Sequence, residues 1–326
     1  MKICVIGLGS MGKRRIRILK EIDSDIVIVG IDKNKERALI TAEEYGIDCY
    51  SDLSDIPDTM DCAFVCTSPQ YHAAIIKECL ERDLHVFSEI NLVSDRYEEN
   101  GNLAKQKNKV LFLSSTPLYK KEMQIVSKKV KQNGKPCAYQ YHTGQYLPDW
   151  HPWDNLKDFF VSNKATNGCR EIFAIELPWI QFVFGEIKSV QVKRRKLTSL
   201  NLDFPDTYLV QLEHENGNVG SLTVDVVSRQ AVRRLEVFNE GLYIRWEGTP
   251  DTLYEKDITA GVLKKISAGE YIHKQGYDAS INEYAYRKEI ETFFQAISDG
   301  KEPIYDFEMD QKILSLIDEI EGQGKR

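Results

Sequence analysis

The first third of the chain alternates continuous apolar runs with segments of helical periodicity. The apolar runs are ICVI, IVIVGI, CAFVCT, HVF and VLFLSS, and the first intervening segment repeats apolar residues at Ile16, Leu19 and Ile22. Continuous apolar strands that alternate with helices are typical of a parallel sheet covered on both faces. The pattern therefore predicts a doubly wound α/β domain over residues 1–118.

Beyond Lys120 the apolar positions follow a period of two. Runs such as AYQYHTGQY, SVQVKRRKL and RRLEVFNEGLYIRW alternate in this way, with Asn-Gly or Glu-Gly at the turns. Such alternation indicates antiparallel hairpins, so residues 119–326 are predicted to form an α+β domain with an open, mostly antiparallel sheet. Helical periodicity predicts further helices near 120–132, 168–184, 281–299 and 307–321.

Composition limits the function. The 326 residues are enough for two domains, and the net charge of -7 argues against nucleic acid as a partner and favours a small molecule. The seven cysteines are scattered without a C-x-x-C pair, which is typical of reduced residues in the cytoplasm and predicts no metal site. Since no run approaches the roughly 20 apolar residues of a membrane span, we expect a cytoplasmic protein without a membrane partner.

A glycine-rich turn, GLGSMG at 7–12, follows the first predicted strand and opens the first predicted helix. Gly7 permits a tight turn, Gly9 lets the backbone approach a pyrophosphate, and Gly12 lets helix and strand pack closely. The helix start adds free N–H groups and a partial positive charge. The predicted phosphate-binding residues are Gly7, Gly9, Ser10, Met11 and Gly12.

Asp32 lies at the end of the next strand, 20 residues beyond Gly12, where it can accept hydrogen bonds from an adenosine ribose. A 2′-phosphate at that place would meet like charge, about 4 kcal/mol per pair of unit charges at about 4 Å and a dielectric of about 20. Lys33, Lys35 and Arg37 can offset much of this repulsion, or simply form a solvated surface. We expect NAD as the cofactor, with NADP as the alternative.

With these motifs the sequence resembles the Gfo/Idh/MocA family of sugar and cyclitol oxidoreductases along nearly its whole length. The resemblance rests on GLGSMG, TSPQYH at 67–72, ECLERDLHVFSE at 78–89 and YRKEIETFFQAISDGKEPIYDFEMDQKIL at 286–314. It implies a Rossmann domain followed by a domain for substrate binding and oligomerisation. A homodimer or homotetramer would be expected.

The resemblance also implies residues near the cofactor. The block at 67–72 lies against the cofactor in the family, although His72 can equally be read as the cap of its helix. The family has Glu-Lys-Pro where this chain has Glu89, Ile90 and Asn91, and Asn91 can still donate a hydrogen bond. The implied cofactor-side residues are Thr67, Ser68, Pro69, His72, Glu89 and Asn91.

Two proton-handling groups of the family are replaced in this sequence. The family's lysine, which helps the proton leave or reach the substrate oxygen, corresponds to Ile90. The family's inward histidine falls within TNGCREIFAIELPW, on Ile175, or on Glu176 if the register slips by one. Because positioned acid–base catalysis contributes about 10²–10⁴-fold, other residues must replace the pair or the family's reaction is lost.

Charged residues near the lost histidine are the first candidates to replace the pair. Arg170, Glu171 and Glu176 lie on an apolar segment, and their spacing cannot place all three on one helix face. Arg170 and Glu171, near the helix start, can face a substrate or form a structural ion pair. The catalytic candidates are His151, Glu176 and Arg170, and His151 is included because an imidazole pKa of about 6.5 suits proton transfer.

An aromatic segment, QYLPDWHPWDN at 145–155, is the candidate substrate loop. Flat aromatic side chains stack on sugar rings and carboxylates bind sugar hydroxyls, whereas the alternative is core packing beside an exposed histidine. The segment resembles one in relatives that act on amino- or deoxy-sugars of cell-surface polysaccharides. The predicted substrate-binding residues are Tyr146, Asp149, Trp150 and Trp153. His214 and His273 lie in polar, surface-like contexts and carry no prediction.

The sequence thus predicts an NAD(P)-dependent oxidoreductase acting on a hydroxyl or ketone of a sugar or nucleotide-sugar. One alternative is a nicotinamide-cofactor-binding protein with little or no catalysis, serving as a sensor or assembly subunit. Another is an enzyme that keeps its cofactor bound while one sugar oxidises it and another reduces it.

Overall fold

A computed structural model describes residues 1–56, 59–150, 160–269, 272 and 281–323. The chain divides into two compact units. The first unit holds Met1–Ser115 and Tyr286–Lys312, and the second holds Thr116–Ala285 and Ile313–Arg326.

The first unit is built on a sheet of six parallel strands. They are β1 (Lys2–Ile6), β2 (Val27–Ile31), β3 (Asp48–Tyr50), β4 (Cys62–Val65), β5 (His85–Ser88) and β6 (Leu111–Leu113). Their order is β3-β2-β1-β4-β5-β6, the order of dinucleotide-binding doubly wound sheets. In such sheets ligands bind beyond the carboxyl ends of the strands where the order reverses, here at β1 and β4. The predicted parallel sheet is confirmed.

Helices connect these strands, as the apolar periodicity predicted. They are α1 (Ser10–Ile22), α2 (Lys35–Tyr45), α3 (His72–Glu81) and α4 (Tyr97–Gln106). In α1 the periodic residues Ile16 and Leu19 are fully buried. Burial of this apolar stripe positions the start of α1 at the end of β1.

Aromatic rings from three neighbouring strands form the centre of the first unit. Phe87 stacks on Phe64 at 4.7 Å and on Phe112 at 5.0 Å between ring centroids. Phe293 contacts all three rings edge-on, at 5.5, 5.6 and 5.7 Å. Residues 286–312 therefore pack with the first unit, whereas the sequence assigned them to the domain at 119–326. Helical periodicity shows that a helix has an apolar face but not which sheet that face covers.

The second unit is built on an eight-stranded sheet. Its strands are β7 (Ala138–Gly144), β8 (Ile187–Arg195), β9 (Thr207–His214), β10 (Val219–Asp225), β11 (Val232–Asn239), β12 (Leu242–Trp246), β13 (Tyr254–Lys256) and β14 (Leu263–Lys265). The order is β14-β13-β12-β11-β7-β10-β9-β8. Neighbours run antiparallel except β7 and β10, which are parallel, so the predicted mostly antiparallel sheet is confirmed.

Four further helices lie close to their predicted ranges. They are α5 (Lys121–Asn133), α6 (Gly168–Phe184), α7 (Glu283–Asp299) and α8 (Phe307–Glu321). Helix α6 packs on the sheet of the second unit, where Tyr139 stacks on Phe184 at 3.9 Å and Tyr141 contacts Trp179 edge-on at 5.1 Å. No helix in the described part of the chain is long and apolar enough to span a bilayer.

His214 lies in the interior of the second unit, although the residues beside it in the sequence are polar. The side chain is buried, with Nε2 2.9 Å from the Tyr139 hydroxyl and Nδ1 2.7 Å from the Gly185 carbonyl oxygen. His214 ends β9, where every second residue from Tyr208 onward is buried. The alternation of the strand decided its burial, and the polar residues beside it did not.

Candidate functional site

Backbone packing explains two of the three glycines in the turn. Gly7 has φ +92°, and a Cβ there would lie 2.8 Å from the backbone of Cys66 and Thr67. A Cβ at Gly12 would lie 1.9 Å from the Gly7 carbonyl oxygen. A Cβ at Gly9 would meet no atom of the described chain within 4 Å. Glycine at that position leaves the space through which a pyrophosphate would approach the backbone.

The start of α1 is suited to an anion. Gly9 is the N-cap, no side chain in the described residues caps the helix, and its first turn holds no acidic residue. The first amides of a helix lack partners within the helix and carry a partial positive charge. The backbone N–H groups of Ser10, Met11 and Gly12 are therefore the donors available to a phosphate group.

Asp32 shapes the turn in addition to its predicted role toward a ribose. One carboxylate oxygen accepts the Leu8 N–H at 2.8 Å and lies 3.2 Å from the Arg37 guanidinium. The other oxygen accepts the Asn34 N–H at 2.8 Å. Leu8 lies inside the glycine turn, so Asp32 ties the turn to the end of β2. The motif spacing located Asp32 but not its bonds to Leu8 and Arg37.

His72 connects the loops that follow β4 and β5. Its side chain is buried, with Nε2 2.7 Å from the Thr67 carbonyl oxygen and Nδ1 2.7 Å from the side-chain oxygen of Asn91. Burial lowers the pKa of His72. The side chain bridges two loops and does not cap α3. Thr67 and Ser68 are partly exposed beside it, and Pro69 is buried. Contact of the block with a cofactor stays a prediction.

Glu89 is held by a buried arginine. The Nε and Nη2 atoms of Arg15 lie 2.5 and 3.1 Å from the two carboxylate oxygens of Glu89, and Nη2 lies 2.8 Å from Glu289. Burial raises the pKa of Glu289 despite the opposing charge of Arg15. Both oxygens of Glu89 are engaged in the interior of the first unit, and its cofactor contact stays a prediction. The next residue, Ile90, is half-buried.

The predicted substrate loop packs against the start of α6. Trp150 donates its indole N–H to the Gln145 carbonyl at 3.1 Å, and its ring lies 3.6 Å from the position of a Cβ on Gly168. Tyr146 and Trp150 are partly exposed and Asp149 is exposed, so all three are accessible to a ligand. His151 and Trp153 lie outside the described residues.

Asp225, at the end of β10, anchors this loop and was missed in the sequence. Its carboxylate accepts the N–H groups of Val227 and Ser228 at 2.9 and 2.7 Å, the Ser228 hydroxyl at 3.0 Å, and lies 2.7 Å from Nε2 of His142. Burial opposes ionisation, but these bonds lower the pKa of Asp225. The Ser228 carbonyl in turn accepts the Tyr146 N–H at 2.7 Å. The sequence signal for this anchor was an aspartate at the end of a predicted strand, followed by a serine three residues later.

Two of the charged residues on α6 are fully engaged. The Arg170 guanidinium lies 2.8 Å from Asp318 and 2.6 Å from Glu321, both on α8. Glu176 accepts bonds from the Tyr141 hydroxyl at 2.8 Å, the Trp179 indole at 2.5 Å and Arg233 at 2.7 Å. These contacts stabilise the packing of α6. Their catalytic role stays a prediction.

Glu171 differs from both. Its Oε2 atom is buried without a hydrogen-bond partner among the described residues. Burial raises the pKa of Glu171 to about 7. Glu171 and Ile175 are only partly buried, and Phe182 is exposed. Ile175 follows Glu171 by four residues and Phe182 follows Ile175 by seven, so the three lie on one side of α6, its least covered side.

The residues of the first unit fit a dinucleotide cofactor. The open space at Gly9 admits a pyrophosphate, the uncapped start of α1 supplies N–H donors, and Asp32 supplies an acceptor for ribose hydroxyls. A nicotinamide cofactor supplies the hydride chemistry when it is bound, since the chain itself has no group that carries hydride.

Relatives of known activity match the chain over most of its length. The chain is 28% identical to myo-inositol 2-dehydrogenase of Thermotoga maritima over 322 residues, which covers 93% of this chain and 90% of the relative. A solved levoglucosan dehydrogenase with NADH and levoglucosan has TM-score 0.79 at 18% identity, covering 99% of this chain and 96% of that one. A UDP-N-acetylglucosamine 3-dehydrogenase of Acidithiobacillus ferrooxidans has TM-score 0.76 at 17% identity, covering 99% and 97%.

The two solved structures share the fold of this chain. A family model described as an oxidoreductase family with an NAD-binding Rossmann fold, GFO_IDH_MocA, matches residues 1–115. Those residues carry the glycine turn, the uncapped helix start and Asp32. The match of the family model therefore coincides with the part of the chain that carries the dinucleotide-binding geometry.

Proposed function

We propose that this protein is an NAD-dependent oxidoreductase that interconverts a hydroxyl and a ketone on a sugar or nucleotide-sugar. The observation that carries the proposal is the geometry of the glycine turn. Packing requires glycine at two positions, while the third, Gly9, is glycine although no described atom lies within 4 Å of an added Cβ. A site that keeps such space at an uncapped helix start, beside Asp32, is suited to a pyrophosphate and a ribose.

The second unit supports the substrate class. Tyr146 and Trp150 offer partly exposed rings that can stack on the C–H faces of a sugar, and Asp149 can accept bonds from its hydroxyls. The Arg229 guanidinium lies 4.1 Å from the centroid of the Tyr146 ring and 3.9 Å from the Asp149 carboxylate, and is itself mostly exposed. An accessible cation beside an aromatic ring favours a nucleotide-sugar, whose diphosphate is anionic, over a neutral free sugar. A role in surface-polysaccharide synthesis is part of this proposal, as are a cytoplasmic location and a homodimer or homotetramer.

The test is cofactor binding followed by a substrate panel. We expect NADH to bind. The panel contains neutral sugars, cyclitols and uridine-diphosphate sugars, each offered as the alcohol with NAD⁺ and as the ketone with NADH. We expect turnover with the charged sugars. Arg229→Ala should raise KM for a nucleotide-sugar and leave KM for a neutral sugar unchanged. Turnover restricted to neutral substrates would contradict the nucleotide-sugar assignment.

One observation favours the alternative of a cofactor-binding protein with little catalysis. Ile90 stands where the family has its lysine, and Ile175, or Glu176 if the register slips by one, stands where the family has its histidine; neither isoleucine can exchange a proton. If this alternative holds, NADH binds tightly but the protein turns over no substrate of the panel. A purified protein that carries stoichiometric nicotinamide, and releases it only when a pair of sugars is added, would favour the enzyme that keeps its cofactor bound.

A further inference from the structure

Among the charged residues of α6, Glu171 is the one whose side chain is not committed to the fold. Arg170 is bound by Asp318 and Glu321, and Glu176 accepts three hydrogen bonds. In the part of the chain that the structure describes, Glu171 has a buried carboxyl oxygen without a donor. A buried acceptor of this kind is costly to the fold, so its retention needs a reason outside packing.

Its position joins it to the predicted substrate loop. The Trp150 ring lies against Gly168, the first residue of α6, and Glu171 follows three residues later, about one helical turn along. Glu171 also lies on the least covered side of α6, four residues before Ile175. Residues four apart lie on the same helix face, so Glu171 shares the face of Ile175, the first of the two positions to which the resemblance assigns the histidine.

We propose that Glu171 is the general acid–base of the reaction and replaces the lysine and histidine that the chain lacks. This inference rests on the proposed oxidoreductase function. In the oxidation direction, the O–H bond of the substrate alcohol breaks and its proton passes to the Glu171 carboxylate, which becomes a carboxylic acid. The C–O bond becomes a carbonyl as the carbon loses hydride, with its two electrons, to NAD⁺. In the reduction direction, the same carboxylic acid returns the proton to the forming alcohol oxygen.

The surroundings of Glu171 suit this role. Burial alone raises its pKa to about 7, and no charged group among the described residues contributes to the shift. An acid–base group is most effective when its pKa lies near the working pH, because both protonation states are then available. Because Oε2 has no partner among the described residues, the carboxyl group is able to bond a substrate hydroxyl.

The experiment compares Glu171→Gln and Glu171→Asp with a matched control, Glu122→Gln. Glu122, on α5, is buried, its pKa is likewise raised by burial, and it lies outside the proposed site. We expect Glu171→Gln to lower kcat about 10²–10⁴-fold with the Kd for NADH unchanged. Glu171→Asp, which keeps a carboxyl group, should retain an intermediate kcat, and Glu122→Gln should match the wild type. Equal kcat in wild type and Glu171→Gln would overturn the inference while leaving the oxidoreductase function intact.

A second readout does not depend on turnover. The infrared carboxyl band of wild type minus that of Glu171→Gln, followed against pH, should show one carboxyl group titrating near pH 7. A midpoint below about pH 5, close to the ordinary pKa of glutamate, would overturn the inference even if no substrate had been found. Absence of wild-type turnover over the whole panel, with the midpoint near 7, would instead count against the proposed function.

A restoring substitution tests the site from the other direction. Ile175→His in the Glu171→Gln background puts an imidazole on the same helix face. We expect it to recover at least about tenfold in kcat, because an imidazole pKa of about 6.5 permits the same proton transfer. The recovered activity should fall as pH drops below the imidazole pKa in the oxidation direction. Recovery without that pH dependence would contradict proton transfer at this face.

Discussion

The starts of α1 and α6 are the two places that we propose for ligands, and different parts of the chain supply their available groups. At α1 the available groups belong to the backbone: the N–H groups after Gly9 are uncapped, and the nearby buried charge of Arg15 is matched by Glu89 and Glu289. At α6 the helix is capped by Asn167, whose side chain accepts the Arg170 N–H at 2.9 Å, and the available group is the side chain of Glu171.

The difference suits the chemistry that we propose for each place. Binding a pyrophosphate needs several fixed donors without a titrating group, and backbone amides supply them at any pH. Moving a proton needs a group that changes its charge near neutral pH, which only a side chain in a tuned environment can do. Predictions that alter one region and not the other test this division.

The largest expected effect comes from removing the cation in the first region. Arg15→Met leaves the buried carboxylates of Glu89 and Glu289 without their counter-charge, which should lower the free energy of unfolding by about 3–5 kcal/mol. Urea unfolding at pH 7 measures the loss. The matched control is Arg17→Met on the same helix, because Arg17 pairs with Glu21 nearer the surface at 3.3 Å and should cost less than about 1 kcal/mol. Equal losses of stability in Arg15→Met and Arg17→Met would contradict the larger stabilising role of the buried Arg15 charge.

The glycine turn separates packing from binding. Gly12→Ala puts a Cβ into the Gly7 carbonyl and should lower the free energy of unfolding by about 1–3 kcal/mol. The same substitution should abolish NADH binding. Gly9 has φ -71°, a value that alanine also adopts, so Gly9→Ala should leave stability unchanged within about 0.5 kcal/mol. It should still weaken NADH binding, because the methyl group fills the space reserved for the pyrophosphate. Thermal unfolding and NADH fluorescence titration distinguish the two, and unchanged NADH affinity in Gly9→Ala would refute the binding role.

At α6 the corresponding test is the dependence of stability on pH. The pKa of Glu171 is raised in the folded state, so its contribution is present at low pH and is lost as pH rises through about 7. Glu171→Gln lacks this loss, so its stability relative to wild type should increase by about 2 kcal/mol between about pH 5 and pH 8. The control Glu213→Gln removes an exposed carboxylate whose pKa is lowered by Lys188 and should not show this increase. If the difference in stability between Glu171→Gln and wild type did not change with pH, the Glu171 carboxyl would be ionised over the whole pH range.

The first region was largely predictable from the sequence because its constraints act on the backbone. A motif of glycines records close backbone approaches, so GLGSMG and the distance to Asp32 located the turn, the helix start and the acceptor. The partner of Glu89 was not predictable in the same way. Arg15 lies on α1, 74 residues earlier, and nothing in the local pattern of either segment names the other.

The second region was predicted in its elements but not in the use of its side chains. The range 168–184 of α6 and the ionisable residues on it were found from periodicity, yet Arg170 and Glu176 were chosen as catalytic candidates over Glu171. Their engagement depends on Glu321 and Arg233, which only the tertiary fold brings to them. The burial of His214 was available from the alternation of β9, since Tyr208, Val210 and Leu212 mark its inward face.

The smallest expected effect concerns the choice of cofactor at Asp32. Arg37 lies 3.2 Å from the Asp32 carboxylate and is about half exposed, so it offsets part of the repulsion that a 2′-phosphate would meet there. Arg37→Ala should weaken NADPH binding by up to about fivefold, in keeping with the roughly 0–1 kcal/mol of an exposed ion pair, and leave NADH binding unchanged. Arg96→Ala is the matched control, because Arg96 has the same side-chain exposure, 49%, and pairs with Glu99 at 3.7 Å. Competitive titration of the two nucleotides at low and high salt measures the difference, which screening should shrink. Equal loss of both nucleotides in Arg37→Ala would assign Arg37 to the shared adenosine moiety and leave discrimination to Asp32 alone.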